Sequence, residues 1–352
     1  VFRGDAALTG VAAGSLPLPL ELVWEFDAGD GIQGSTVVAE DRVFLGDASG
    51  RIQAVNASDG QLLWVFETGD VIESSPLVVE QLVVTGALNG KLYALDVSTG
   101  QLRWSHDVGG RIMGSANAAV SENQKPRIVF GAYDNTLHAL TLDGKPLWAF
   151  PTDGFINGTP AISGQQAVFG GCDAKLHVVD MNGGTELASI EVESYVAASP
   201  AITGGRAYVG HYGGQLLCAD LATGKVLWTY GDEEEGDAFF ASPAIAQERV
   251  VVGCRDRKLH CVNAADGSEV WTFSTRGDVD SSPTLCDGKA VFGSRDGRLY
   301  VVSLEEGALL WSTDTGSPII ASPAVVNGTV FVATEAGQVL AFQSRKAEGE
   351  SP

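Results

Sequence analysis

Short apolar runs broken by turn residues fill this chain, and apolar positions at helical spacing are absent from it. Residues 74–79, 82–86, 91–96 and 101–106 show the unit: four short segments read as strands, separated by turn signals. Asn89-Gly90 joins the second and third, and Ser49-Gly50, Gly213-Gly214, Asp296-Gly297 and Ala336-Gly337 do so elsewhere. Such pairs tolerate the positive φ that tight hairpins require. Ser98-Thr99-Gly100 joins the third and fourth, as do Ser58-Asp59-Gly60, Ala222-Thr223-Gly224 and Ala265-Asp266-Gly267. The pattern predicts small antiparallel sheets of four strands.

These units repeat. The tryptophans stand at Trp24, Trp64, Trp104, Trp148, Trp228, Trp271 and Trp311, spaced by 40, 40, 44, 80, 43 and 40 residues. The interval of 80 holds two periods, and Gly184-Thr185-Glu186-Leu187-Ala188 at its middle matches Gly224-Lys225-Val226-Leu227-Trp228, so one of eight repeats has lost its tryptophan. A sheet of this size cannot bury both faces alone, and radial closure leaves few open edges. Residues 20–27 form a lone fourth strand and 321–342 supply only three. Pairing them completes an eighth blade. The fold class is therefore all-β, an eight-bladed β-propeller of four-stranded antiparallel blades spanning residues 20–343. Residues 1–19 are an N-terminal arm over its surface, and 344–352 a flexible polar tail.

Composition narrows the function classes. Hydrophobic residues at 45% against 19% charged exclude a disordered chain, and no apolar stretch reaches the roughly 18 residues of a membrane helix. The 44 glycines have no three-residue period, which excludes collagen. A formal net charge of -22 repels a phosphate backbone, so nucleic acid is not expected as a partner. Five cysteines without a Cys-x-x-Cys or vicinal pair outline neither a disulfide framework nor a zinc site. No signal peptide precedes Val1, which fits a mature or trimmed chain as well as any other.

Gly86-Ala87-Leu88-Asn89-Gly90-Lys91-Leu92-Tyr93-Ala94-Leu95-Asp96, with Thr99-Gly100 and Trp104, resembles the repeat of the quinoprotein-type (PQQ-like) propeller family. The resemblance covers about nine-tenths of the chain and extends to an outer-membrane barrel-assembly lipoprotein as well as to pyrroloquinoline-quinone-dependent alcohol dehydrogenases. The opening Phe2-Arg3-Gly4-Asp5 with Thr9-Gly10 is similar to the segment preceding such repeats in secreted bacterial proteins. The resemblance implies the fold and a docking tryptophan in each blade, but one scaffold hosts unrelated activities. In the enzymes it implies a quinone clamped against a vicinal disulfide, a calcium held by carboxylates and an aspartate base. This chain has no Cys-Cys pair and no long insertions between repeats.

Repeat arithmetic sorts the remaining candidates. His138, His177 and His260 follow the third-strand leucine where Tyr93 and Tyr300 stand in other repeats, so they diverge around the ring and cannot share one ion. Cys218 and Cys261 occupy the position of Ala94 and Ala139 and read as small buried residues, while Cys172 and Cys254, near hairpin turns, are the candidates for accessible thiols. Serines before Pro76, Pro200, Pro243, Pro283 and Pro323 recur at the start of the innermost strand, which argues for a structural role rather than a nucleophile. The tryptophans are structural clamps with a hydrogen-bonded indole N–H, and Ala188 predicts a cavity or compensation by a neighbour such as Tyr195.

What varies is the loop leading into the innermost strand, which lines one mouth of the channel: Gln33, Glu73, Met113, Asn157, Ala197, Phe240, Asp280 and Ile320, and two residues earlier Val71, Arg111, Phe155, Tyr195, Ala238, Asp278 and Pro318. Glu73, Arg111, Phe155, Asn157, Tyr195, Phe239, Phe240, Asp278 and Asp280 are the candidate ligand-binding residues. The acidic insert 232–237 lacks the alternating oxygen ligands of a calcium loop and reads as solvated. These readings point to a non-catalytic, periplasmic or otherwise extracytoplasmic binding or scaffold propeller, with a protein partner or a small ligand at its mouth, no catalytic residues, no metal and no cofactor. It would work as a monomer. The alternatives are a small quinoprotein dehydrogenase using PQQ and calcium, and the sensor ectodomain of a larger receptor.

Overall fold

A computed structural model describes residues 3–121, 124–232 and 236–344. Within the acidic insert residues 233–235, and of the polar tail residues 345–352, lie outside the described residues. The described residues contain no helix, and therefore none long and apolar enough to cross a membrane.

Eight antiparallel sheets of four strands each form the ring. Blades 1 to 7 occupy residues 37–67, 77–107, 117–151, 161–191, 201–231, 244–274 and 284–314; blade 8 combines 324–344 with Leu20–Asp27. The closure expected from the leftover strands is present: Leu20–Asp27 runs antiparallel to Gln338–Ser344, with Leu22 opposite Phe342 and Trp24 opposite Ala341. First strands of neighbouring blades touch one another around the circle, including blade 8 against blade 1, so they line the channel.

In blade 2 the strands are Leu77–Val79, Leu82–Gly86, Lys91–Asp96 and Leu102–Asp107. The innermost strand starts three residues later than the apolar pattern suggests, because Ser74-Ser75-Pro76 bonds elsewhere. Pro76 has no N–H, and the Ser75 N–H donates to the Ser115 hydroxyl of blade 3 at 2.8 Å. The same bond recurs around the channel: Ser35 to Ser75 (2.9 Å), Ser115 to Thr159 (3.2 Å), Thr159 to Ser199 (2.9 Å), Ser199 to Ser242 (3.0 Å), Ser242 to Ser282 (2.9 Å) and Ser322 to Ser35 (2.8 Å). The recurring hydroxyl is thus a belt across seven of the eight blade junctions, where it satisfies a buried N–H that has left the strand ladder; between blades 7 and 8 the Ser281 hydroxyl donates to Ala321 O at 2.9 Å.

The core lies between blades. Phe44, Ile52, Ala54 and Trp64 of blade 1 pack on Val83, Tyr93 and Leu95 of blade 2, and the other interfaces repeat this. Each outer strand carries a one-residue bulge just before the tryptophan position, as between Ala94 and Leu95 opposite Trp104 and Leu102, which turns the ring toward the neighbouring blade. Six indoles then donate across the interface: Trp24 to Ala57 O (3.0 Å), Trp64 to Val97 O (3.2 Å), Trp104 to Leu142 O (2.7 Å), Trp148 to Met181 O (3.0 Å), Trp228 to Ala264 O (3.2 Å) and Trp271 to Leu304 O (3.0 Å). Trp311 meets Phe342 edge-on at 5.8 Å. The six donating rings lie against the glycine that ends the turn between the third and fourth strands of the next blade, so that a Cβ at Gly100 would sit 2.6 Å from Trp64. At the eighth interface Gly224 faces only the Ala188 Cβ, 3.9 Å away. Tyr195 does not compensate, since its side chain is exposed at the channel mouth.

Part of the segment before the ring, expected over its surface, lines the inner strands instead. The Ala6, Ala7, Thr9 and Gly10 carbonyls accept the N–H groups of Ile162 (2.6 Å), Ile202 (2.9 Å), Ile245 (2.8 Å) and Leu285 (2.8 Å), the innermost strands of blades 4 to 7. Leu8 is fully buried. An inner strand has an unpaired edge toward the axis, and the arm satisfies four of these edges in turn.

Candidate functional site

At the opposite end of the channel the mouth is built from two loops per blade. The loop leading into the innermost strand is pinned to the hairpin between the second and third strands by one backbone bond: Tyr133 N to Arg111 O (2.9 Å), Cys172 N to Phe155 O (2.8 Å), Tyr212 N to Tyr195 O (3.0 Å), Arg255 N to Ala238 O (3.2 Å), Arg295 N to Asp278 O (2.9 Å) and Glu335 N to Pro318 O (2.9 Å). The hairpin row of Tyr133, Cys172, Tyr212, Arg255, Arg295 and Glu335 therefore shares the mouth with the predicted row. Sequence reasoning missed it, although in blades 3 to 7 the row was identifiable as the variable residue two positions after a glycine at the end of the second apolar run, as in Gly131-Ala132-Tyr133 and Gly253-Cys254-Arg255.

The two rows separate into arcs. Across blades 3 to 6 runs an aromatic arc: Tyr133 stacks on Phe155 with centroids 4.5 Å apart, Tyr212 meets Phe240 edge-on at 5.5 Å, and the Arg255 guanidinium lies 4.3 Å over the Phe240 ring. Phe155 (46%), Tyr195 (57%) and Tyr212 (45%) expose about half their surface. Beside Phe155, Asn157 Nδ2 reaches Cys172 Sγ at 3.8 Å, while its Oδ1 is buried with no partner among the described residues. Glu73 and Arg111 flank this arc; burial pushes the Glu73 carboxyl up from its ordinary value, and Arg111 opposes the shift.

Across blades 6 to 8 runs a charged arc. Asp280 accepts from Arg255 Nε (2.9 Å) and Nη2 (3.2 Å) and from Arg295 Nε (2.8 Å), and Arg295 Nη1 continues to Glu335 at 2.9 Å. Asp280 is thereby saturated by two guanidinium groups. Asp278 lends its carbonyl to Arg295 N and stays half-buried. The structure brings eight of the nine candidates to the mouth and places Phe239 elsewhere. Phe239 is buried against Tyr230 and His260. It occupies the column of Ile72, Ile112, Ile156, Val196 and Val279, the buried residue between the two mouth positions, which points inward because alternate residues of an extended segment face opposite ways.

One cluster of metal-ligand type occurs among the described residues: Cys254, Asp256 and His260 each offer an atom within 4.8 Å of the others. Its Asp–His part is a repeat feature. Asp256 meets His260 Nε2 at 3.1 Å, as Asp134 meets His138 (2.9 Å), Asp173 meets His177 (2.9 Å) and Asp296 accepts from Tyr300 (2.7 Å), each latching the hairpin to the third strand. His260 Nδ1 is engaged by the Tyr230 hydroxyl at 2.9 Å. Cys254, expected as an accessible thiol, is buried; its Sγ donates to Asp237 O at 3.2 Å and burial pushes its pKa to about 12. Cys172 remains half-buried. All five cysteines are free.

The family model described as "Outer membrane protein assembly factor BamB" matches residues 21–148, 133–271 and 255–349. No curated protein matches the sequence. Among solved structures, BamB from Moraxella catarrhalis is similar over 95% of this chain and 100% of its own, with TM-score 0.77 and 18% identity. The computationally designed Ika8 protein is similar over 92% of this chain and 99% of its own (TM-score 0.80, 21% identity). Quinohemoprotein alcohol dehydrogenase from Comamonas testosteroni is similar over 99% of this chain and 81% of its own (TM-score 0.80, 13% identity). At these identities the structural likeness speaks for the fold alone.

Proposed function

Since this chain belongs to the family of outer membrane protein assembly factor BamB, we propose that it is a non-catalytic scaffold propeller of the cell envelope, outside the cytoplasm, and that its channel mouth receives a segment of a partner protein. The observation that carries this reading is the aromatic arc, three half-exposed rings on adjacent blades beside an unmet amide acceptor at Asn157. Flat aromatic faces with one or two polar anchors suit an extended peptide, which gains contact area there at small cost in side-chain entropy.

The alternative of a quinone and calcium enzyme is less well supported by the residues present. A quinone site of the kind the resemblance implies needs a vicinal disulfide and carboxylates free for the cation. Here no two cysteines are adjacent in sequence, and Asp280 is held by Arg255 and Arg295, whose charges would repel a divalent ion. Of the other mouth carboxylates, Glu73 is disposed toward its neutral form by burial.

The test is a photo-crosslinking amino acid placed at residue 195 and, as control, at residue 310 on the outer rim, in cells expressing the chain. The reading expects a discrete partner from 195 that is lost in Phe155→Ala/Tyr212→Ala; absence of any product from 195, or one unaffected by the double substitution, overturns it. Independently, a rise in Tm with PQQ and calcium together with dye reduction by an alcohol would overturn the non-catalytic half.

A further inference from the structure

The arm covers the inner strands of blades 4 to 7, but not those of blades 8 and 1. Between it and the uncovered pair lies a cavity of about 370 Å³, walled by Arg3, Ser35, Thr36, Thr284 and Ser322. Three atoms on this wall are unexplained by folding. Arg3 is more than nine-tenths buried; its Nη2 donates to Pro243 O at 2.7 Å, yet its Nε and Nη1 have no partner among the described residues. The Thr36 hydroxyl is buried and equally unpartnered.

Both residues are placed by specific features. Thr36 stands where blades 2 and 4 to 8 carry the proline after the belt hydroxyl, so this wall alone presents a hydroxyl at that level where those blades present a pyrrolidine ring. The Arg3 guanidinium lies over Gly10, where a Cβ would come within 2.3 Å of Nη2; Gly10 thus leaves the space in which the cation is held. The nearest carboxylate does not neutralise it by contact: Asp5 is turned to Thr9, accepting from its N–H at 3.0 Å and from its hydroxyl. Burial accordingly pulls the Arg3 pKa down to about 9, with Asp5 only partly opposing. A buried guanidinium with idle donors is costly unless an anion meets it.

We propose that this cavity, at the end of the channel away from the mouth, binds one small oxyanion, with Arg3 as the charged anchor and the Thr36 hydroxyl as a second donor. Guanidinium and hydroxyl donors on one cavity wall match the oxygens of a carboxylate or phosphate group. Because the arm forms one wall, occupancy would also fix the arm in the channel, and binding would appear as stabilisation of the whole ring.

Thermal unfolding and titration calorimetry with inorganic phosphate and with malonate, against sodium chloride at equal ionic strength, test this and distinguish the two anion types. The expected result is one site per chain and a saturable rise in Tm of about 2–5 °C with one of the two anions at a hundredfold excess over Kd. Arg3→Met should abolish the rise. Because that change could also loosen the arm, Thr36→Val serves as a second variant, expected to weaken binding by about 5- to 10-fold, the order of one lost hydrogen bond, while Arg103→Met on the outer rim leaves it unchanged. No saturable effect of either anion, or the same effect in Arg3→Met and Thr36→Val as in the unaltered chain, overturns the proposal.

Discussion

Alanine at two equivalent glycines separates the cost of a left-handed turn from the cost of displacing a tryptophan. Gly100 and Gly224 both end the turn between the third and fourth strands, at φ +69° and +66°. Placing any Cβ there costs about 1 kcal/mol in backbone strain, and at Gly224 little else, because the new atom would be 3.9 Å from the Ala188 Cβ. At Gly100 it would be 2.6 Å from Trp64, so the indole must retreat by about 1 Å to reach ordinary contact. Retreat gives up the 3.2 Å bond to Val97 O, about 1 kcal/mol, and part of the 3–5 kcal/mol that a packed tryptophan contributes. Gly100→Ala should therefore lose about 3 kcal/mol and Gly224→Ala about 1 kcal/mol, read as a drop in Tm roughly three times larger for the first. Ala188→Trp should raise Tm, and in its presence Gly224→Ala should become as costly as Gly100→Ala, a coupling that only direct contact produces. Equal losses for the two single glycine variants would refute the argument that the tryptophan, rather than the turn, demands glycine.

Two further outcomes follow from the frame. Ser115→Ala should destabilise by about 1–3 kcal/mol by orphaning the buried Ser75 N–H, whereas Ser115→Thr, the residue type already found at Thr159 in blade 4, should be tolerated; a neutral alanine variant by thermal unfolding would show that the belt carries no stability. Asp256 bears on the acid limb of the stability curve: burial raises its pKa, but the hydrogen bond and charge of His260, with Lys258, outweigh this and hold it down to about 2, below the ordinary 3.8. A depressed carboxylate stabilises the fold above about pH 4 and loses that contribution as pH falls toward about 2. Asp256→Asn should flatten the Tm–pH profile in that window, and parallel profiles would contradict it.

The ring was legible because its determinants are periodic and local. Tryptophan spacing, Thr-Gly turns, a lone strand at the start and an incomplete three-stranded unit at the end suffice to set blade number and closure. Features that depend on alternation or on contacts distant in sequence were not. Phe239 looked like a mouth residue because it stands beside Phe240, although the column of Ile72, Ile112 and Ile156 places it on the buried side. Cys254 was expected to be accessible from its nearness to a turn, yet it is buried, and its Sγ donates to Asp237 O on the loop leading into the innermost strand. The hairpin row of the mouth went unnoticed because each of its residues varies, and a variable residue near a turn reads as solvated until backbone pairing places it. No periodic signal could show that residues 6–12 line the inner strands, since they pair with them through backbone groups.

The division of the mouth into arcs bears on how a partner would approach. Blades are joined by bonds that use backbone groups or recurring residues, namely the hydroxyl belt and the indole-to-carbonyl links, so mouth side chains are released from holding the ring together. Only the charged arc is committed again, since Arg255, Asp280, Arg295 and Glu335 pair with one another across blades 6 to 8. A ligand engaging that arc would have to displace partly buried ion pairs, a step that costs more than the replacement contacts return unless the match is close. The aromatic arc on blades 3 to 6 imposes no such step: Phe155, Tyr195 and Tyr212 are already half-exposed, and covering them removes apolar surface from water. A partner of the proposed kind should therefore enter off-axis, over blades 3 to 5 and beside Arg111, with the paired charges of blades 6 to 8 as the far rim.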